Sequence, residues 1–298
     1  MIFVLTHNDY LTRYLFNGRK KIKAILYPVP HDSFLLRVIK FVARKMNFLY
    51  GSMSLSREQK KILKGMTEND VLFYIGESAY ACHALSAVCP QKGKKIAFFW
   101  NSCTTIKNCE DRIKKIKELG YSIATFDTED AQRYNLIIAN QFYRNVCNAQ
   151  YKIENDFFFC GRNKGRKDIL QEMQRLLSSL GTCKFIIPEK NEAMHYLNYI
   201  EEVQKTRVLC DVNQKNQSGL TLRVLESLFF QKKLITNNFF VEKYDFYNPS
   251  NILIYTDHTT RDDIHTFLMK PYEPVNDDIL SKYEVENVFK KVIQETVD

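Results

Sequence analysis

Short apolar runs alternate with amphipathic stretches along most of the chain. In the first half the runs fall at Ile2–Thr6, Lys23–Tyr27, Val71–Ile75, Lys95–Trp100, Ser122–Phe126 and Leu136–Ala139. Between them, apolar positions recur at helical spacing over Tyr10–Phe16, Ser33–Phe48, Arg57–Lys64, Tyr80–Val88, Cys109–Leu119 and Glu129–Tyr134. Strand-length runs that are apolar at successive positions predict strands buried on both faces. Alternation with helices predicts a parallel sheet with helical crossovers.

The alternation restarts after a segment near Asn145–Asn155, which reads as a linker. Strands are predicted at Asp156–Cys160, Cys183–Ile187, Val208–Val212, Leu234–Thr236 and Ile252–Tyr255. Helices are predicted at Lys167–Leu180, Leu220–Phe230 and, closing the chain, near Asp278–Thr296. The simplest architecture is α/β with two doubly wound, Rossmann-like domains, 1–150 and 151–298. Ligands of such sheets bind outside the strand C-terminal ends. A chain of 298 residues accommodates two domains of ordinary size.

Composition narrows the class. Eight cysteines show neither a CxxC pair nor a zinc-like His–Cys spacing, so they are expected to be reduced, mostly buried thiols of a cytoplasmic protein. Met1–Leu5 is too short for a signal peptide, and no apolar stretch approaches membrane-spanning length. The net charge of +9 is unevenly placed. Residues 1–150 hold 23 Lys and Arg against 12 Asp and Glu, and residues 151–298 hold 20 against 22. The excess therefore lies in the first half, where it fits a solvated surface, an anionic membrane or a nucleic acid.

Two segments carry candidate chemistry. In Phe157–Arg166 an aromatic strand runs into Gly161-Arg162-Asn163-Lys164-Gly165-Arg166. Glycine permits close backbone approach, arginine offers a fork to phosphate oxygens, and lysine adds a mobile charge. It is neither a Walker A loop nor a GxGxxG turn. In Gln214–Leu228 a polar loop enters a helix at Ser218-Gly219, and Glu226 follows. A helix start presents free N–H groups and partial positive charge, which suit a phosphate. A carboxylate such as Glu226 accepts hydrogen bonds from sugar hydroxyls. It also reads as an exposed carboxylate paired with Arg223.

In this order and spacing, these motifs resemble the donor domain of GT-B glycosyltransferases. More narrowly, the chain resembles bacterial capsule and lipopolysaccharide biosynthesis proteins. Those proteins carry a G-R-x-K-G-R turn, a Q-[ST]-G-L-T-x-R-x-x-E-[AS]-L helix and a K-K-L-I-T-N strand, which here are Gly161–Arg166, Gln217–Leu228 and Lys232–Asn237. Phe98–Asn101 and Thr125–Asn135 agree more weakly. The resemblance runs from about Val71 to Asn237.

The resemblance implies a GT-B-like fold whose two domains face a cleft. It implies transfer of a sugar from a nucleotide-diphosphate donor to a lipid-linked or growing surface glycan. Arg162 and Lys164 would hold the donor diphosphate, with Arg166 in the same loop. Ser218, Gly219 and Leu220 would offer backbone N–H groups, with Thr221 beside them, and Glu226 would bind the ribose. Many retaining members carry two Glu residues separated by seven positions. Glu226 matches the second, but Ser218 stands at the first, so the stereochemistry stays open. No cofactor or metal is expected, since these cations and a helix start can neutralise the leaving diphosphate. Asp262-Asp263 and Asp277-Asp278 read as helix-start carboxylates rather than metal ligands.

An inverting reaction needs a base for the acceptor hydroxyl. Glu77, in the strand-to-helix turn Ile75–Ser78, is the first candidate, and His7 and Asp9 after the first strand are the others. The basic segments Arg19–Lys23 and Leu35–Met46 fit peripheral attachment to an anionic membrane, at the inner face of the cytoplasmic membrane. Two alternatives stay open: a basic nucleic-acid-binding protein, and a non-catalytic scaffold of the same shape.

Overall fold

A computed structural model describes residues 1–7, 9–27, 55–89, 93–144, 151–188, 194–213 and 219–296. The predicted helix Ser33–Phe48, with its basic segment Leu35–Met46, lies outside these residues, as does Ser218. The chain divides into two compact units, residues 1–140 with 289–298, and residues 141–288.

The first unit contains β1 (Ile2–His7), α1 (Tyr10–Phe16), β2 (Ile22–Tyr27), α2 (Arg57–Lys64), β3 (Val71–Ile75) and α3 (Ala79–Ser86). After these come β4 (Lys94–Phe99), α4 (Cys109–Glu118), β5 (Ser122–Thr125), α5 (Thr128–Tyr134) and β6 (Ile137–Ile138). The strands form one parallel sheet in the order β2-β1-β3-β4-β5-β6. Every residue of β3 is buried, as an apolar run covered on both faces requires. Side chains define the helix entries: Ser56 and Gln59 form a capping box on α2, and Asp127 accepts the N–H groups of Glu129 and Asp130 on α5.

The second unit contains β7 (Asn155–Cys160), α6 (Lys167–Leu177), β8 (Cys183–Ile186), α7 (Tyr196–Gln204), β9 (Thr206–Asp211) and α8 (Leu222–Phe229). It continues through β10 (Lys233–Thr236), β11 (Ile252–Ile254), α9 (Arg261–Met269) and α10 (Asp277–Ser281) to the start of α11 (Val285–Glu295), whose residues from Phe289 onward belong to the first unit. Its parallel sheet runs β11-β10-β9-β7-β8. Read from the other edge, this repeats the first unit's order, with the first strand between the second and third. In both sheets the order reverses beside the first strand, which creates a crevice at the strand C-terminal ends. Phe157 and Phe159 on β7 pack with Leu170, Met173 and Leu177 of α6 and with Val208 and Cys210 of β9.

The closing segment departs from the single predicted helix near Asp278–Thr296. It forms α10 and α11, interrupted where Tyr143 N–H donates to the Tyr283 carbonyl and Val285 N–H donates to the Tyr143 carbonyl. Extended pairing with residue 143 replaces helical bonds at the break. Beyond it, Phe289 belongs to the first unit and stacks on Phe73, with ring centroids 4.2 Å apart. Asp262 and Asp263 lie in the first turn of α9, and Asp277 and Asp278 in that of α10, as their sequence context implies. The seven described cysteines are free thiols. Among the described residues no helix is long and apolar enough to cross a membrane.

Candidate functional site

The loop after β7 is tied down by its own arginine. Lys164 and Gly165 take positive φ, 45° and 79°, and Arg166 N–H closes the turn on the Asn163 carbonyl at 3.0 Å. This reverses the chain, so that buried Arg166 points back beneath the loop. Its Nε and Nη2 donate to the Arg162 carbonyl at 3.2 and 3.1 Å, and its Nη1 donates to the Val212 carbonyl. Its donors thus order the loop, while Arg162 and Lys164 stay exposed. A Cβ on Gly161 would lie 2.8 Å from Arg223 Nη2 and 3.0 Å from Arg166 Nη2, so glycine lets both guanidinium groups approach.

Arg223, on the first turn of α8, connects three parts of the site. Its Nη1 donates to Asp211 Oδ1 at 2.7 Å, and its Nη2 donates to the Cys160 carbonyl at 2.8 Å. The guanidinium lies over the Phe159 ring, 4.8 Å from its centroid. Asp211, at the end of β9, is fully buried and also accepts from Thr221 Oγ1 at 2.9 Å and Thr236 Oγ1 at 3.1 Å. Thr221 is the N-cap residue of α8, but its hydroxyl turns to Asp211 instead of capping the helix. Gly219 and Leu220, just before it, are buried, and the Gly219 carbonyl accepts from Asn238 Nδ2.

Glu226 lies one turn further along α8 and is buried. Its Oε1 accepts from Tyr196 Oη at 2.7 Å, and its Oε2 accepts from Tyr199 Oη. Tyr196 Oη also lies 2.7 Å from Tyr143 Oη. The exposed-carboxylate reading of Glu226, paired with Arg223, does not describe this arrangement. Burial raises its pKa, against the opposing effect of the tyrosine hydrogen bonds and Arg223. No sequence motif marks Tyr196 and Tyr199, and no helix is predicted there. Tyr196, Tyr199, Ile200 and Val203 nevertheless recur at helical spacing and would have supplied the signal.

These groups line one cavity of about 370 Å³ at the C-terminal end of β7. Arg162, Lys164, Arg166 and Arg223 contribute positive charge, Thr221 a hydroxyl, and Glu226 with its two tyrosines a carboxylate and aromatic surface. β7 is the first strand of its sheet, so the cavity sits at the crevice where strand order reverses. The cations crowd one another. Lys164 is exposed at its surface but partly desolvated by the cavity walls, which lowers its pKa, and the Arg166, Arg162 and Arg223 guanidinium groups lower it further. Arg166 is held down to about 10 by burial and then by Arg223. For Arg223, burial acts in the same direction, but Asp211, Tyr199 and Glu226 together outweigh it and the pKa is raised. An anion entering the cavity would relieve this repulsion.

The base candidates flank the corresponding crevice of the first unit. His7 ends β1, and its carbonyl accepts from Thr12 Oγ1. Asp9 caps α1, accepting the Thr12 N–H at 2.8 Å. Glu77 follows β3, where Gly76 takes a φ of 146° and donates to the Phe98 carbonyl. Glu77 Oε1 accepts from Trp100 N, Asn101 N and Asn101 Nδ2 at 2.8, 2.9 and 3.1 Å, which ties it to the loop after β4.

No protein-family model matches the sequence, and no curated protein does. Solved structures do match. TarM aligns with a TM-score of 0.52 at 11% identity, over 87% of this chain and 57% of TarM. The fold is of the GT-B type. This GT-B chain thus spans a little over half the length of TarM. A Staphylococcus aureus TarM variant in complex with fondaparinux, alpha-GlcNAc-glycerol and UDP matches at TM-score 0.46 and 8% identity, over 88% of this chain and 58% of that one. Anabaena HepE in complex with UDP matches at TM-score 0.47 and 10% identity, over 99% of both chains.

Proposed function

We propose that the protein is a glycosyltransferase that takes its sugar from a nucleotide-diphosphate donor, with the diphosphate seated in the cavity of the second unit. The carrying observation is the gathering of Arg162, Lys164, Arg166 and Arg223 around one cavity at the C-terminal end of β7. In the reaction the bond between the sugar's anomeric carbon and the diphosphate oxygen breaks, and the diphosphate keeps the electron pair. Arg162 and Lys164, the exposed cations, meet the charge that develops there. Arg223 and Arg166 hold the loop that carries them. Glu226, with Tyr196 and Tyr199, is assigned to the ribose. The acceptor hydroxyl forms the new bond and gives up its proton, for which Glu77, His7 and Asp9 are the candidate bases. No metal or cofactor is assigned.

The proposed acceptor is a lipid-linked or growing bacterial surface glycan, of the capsule, O-antigen or lipopolysaccharide kind. The exposed Lys20, Lys21 and Lys23 support attachment to an anionic membrane face. A thermal-shift panel of UDP, GDP, CMP, ADP and dTDP tests the donor site, since a ligand of the native state raises the melting temperature. One base should raise it, and Arg162→Ala should abolish the shift without lowering the unliganded melting temperature. Failure of every nucleotide to shift the protein would sink the proposal.

A further inference from the structure

The second unit holds another cationic cavity, at the opposite end of its strands. It has a volume of about 310 Å³ and includes Thr206, Arg207, Lys232, Lys233, Lys270 and Tyr272 in its lining. Thr206 opens β9 and Lys233 opens β10, so this cavity lies at the strand N-terminal ends. The donor cavity lies beyond the other end of the sheet. Asp211 and Thr206 are the two ends of β9, which separates them by about 16 Å at the usual rise per residue. One phosphate group cannot occupy both cavities.

The lining is built from donors. Thr206 is fully buried, and its hydroxyl has no hydrogen-bond partner among the described residues. The buried hydroxyl of Tyr272 has none either. Both residues line the cavity, and buried polar groups are nearly always satisfied, so their two orphaned hydroxyls call for a partner that the described residues do not supply. The cations supply the rest. Lys232 gives one bond to the Gln204 carbonyl, and Lys233 gives bonds to the Ser250 and Phe267 carbonyls, which fixes both ammonium groups in place. An ammonium carries three donors, so each keeps at least one for another partner. Arg207 shares its charge with Asp156 at 3.2 Å. Lys233 is disfavoured as a cation by burial and then by Lys270 and Arg207, with Glu273 opposing them. Ammonium and guanidinium groups only donate, so the complementary ligand accepts and carries negative charge.

We infer that this cavity is a second anion site, which binds the phosphate of a small phosphate monoester independently of the donor cavity. The volume exceeds what one oxyanion needs, since a water molecule accounts for only about 30 Å³. Ile153, Val208 and Leu268 also line the cavity and give the organic part of the ligand an apolar wall.

The test uses the full chain carrying Lys164→Gln, which weakens phosphate binding in the donor cavity. Glycerol phosphate and inorganic phosphate are titrated by calorimetry, and phosphatidylglycerol vesicles by co-sedimentation. Glycerol phosphate should still bind in this background. Adding Lys270→Gln or Thr206→Val should each weaken it about tenfold, the loss of one charge-assisted hydrogen bond. Thr206→Val also removes a buried orphan hydroxyl, so its unliganded melting temperature should hold or rise, which separates lost binding from lost folding. The inference is overturned if Lys164→Gln abolishes all phosphate binding, or if neither further substitution changes it. It is also overturned if only the vesicles bind and Lys270→Gln releases them, because the cations would then form a lipid face. None of these outcomes depends on whether the donor cavity takes a nucleotide sugar.

Discussion

Arg223 and Asp211 form an ion pair 2.7 Å long between the first turn of α8 and the end of β9, and the Asp211 side chain is fully buried. The pair stands at the junction of β7, β9, β10 and α8, because Asp211 also holds Thr221 and Thr236 while Arg223 also holds the Cys160 carbonyl. Removing one member leaves a buried charge uncompensated. Asp211→Asn keeps the shape but strands the guanidinium, and should cost about 3 kcal/mol. Urea unfolding should show a lower midpoint at unchanged slope. A loss below about 1 kcal/mol would place the pair among those that contribute little. Arg223→Lys should not restore the wild-type value, because one ammonium cannot reproduce the planar fork that spans Asp211 and Cys160.

Gly161→Ala tests the close approach of the two guanidinium groups. The added Cβ meets Arg223 Nη2 at 2.8 Å, Arg166 Nη2 at 3.0 Å and Phe159 Cζ at 3.2 Å. Both guanidinium groups are anchored, so the loop rather than the arginines should move. Overpacking of this kind costs about 1–3 kcal/mol. Nucleotide affinity should fall with it, since Arg162 and Lys164 ride on the loop. Unchanged affinity by calorimetry would show that the loop's position does not govern binding.

Much of this site was legible in the sequence because it is local. The apolar run Phe157–Phe159 meets Gly161–Arg166 directly, so the strand, the loop and the two exposed cations could be read from consecutive residues. The strand order was not written in any single run, but alternation with helices restricted it to doubly wound forms. What escaped depended on distance along the chain. Asp211 reads only as part of the strand Val208–Val212, and only folding brings it to Arg223. Arg166 read like its neighbours as an anion contact, whereas the turn at Lys164 and Gly165 sends it beneath the loop. Helix α7 lies between the two motif segments and carries no motif of its own, and with it went the tyrosines that grip Glu226. The break between α10 and α11 escaped because its cause, Tyr143, lies far upstream.

Glu226→Gln separates the carboxylate's charge from its place in the fold. Burial raises the Glu226 pKa above its unfolded value. As pH rises between the unfolded and folded values, the native state retains the proton longer than the unfolded state. Stability therefore falls with pH across that window, and above it the penalty is complete. Glutamine carries no such penalty and can still accept from Tyr199. Above the window, Glu226→Gln should be at least as stable as wild type by thermal melting, and the two curves should converge or cross as pH falls through it. Nucleotide affinity should drop at the same time if the carboxylate meets the ribose. A variant that loses stability at every pH would mean that the ionised form is the one the fold favours.

Lys164 gives the proposed donor site an alkaline limit. Partial desolvation and three guanidinium neighbours hold its pKa below the ordinary value of 10.5, and Arg166 is held down to about 10. Only the protonated forms attract a diphosphate. Bound anion favours those forms, so binding draws protons from solution wherever the free protein has begun to lose them. Nucleotide affinity should therefore fall as pH rises through the lowered Lys164 value. Calorimetry in buffers of different ionisation enthalpy should report proton uptake in that range and less at neutral pH. Lys164→Gln should weaken binding about tenfold at neutral pH, the loss of one charge-assisted contact. It should also remove its share of the uptake. The difference between the two proteins isolates the lysine from any ionisation of the ligand itself. Identical uptake in wild type and Lys164→Gln would remove Lys164 from the diphosphate's surroundings, even if the nucleotide still bound.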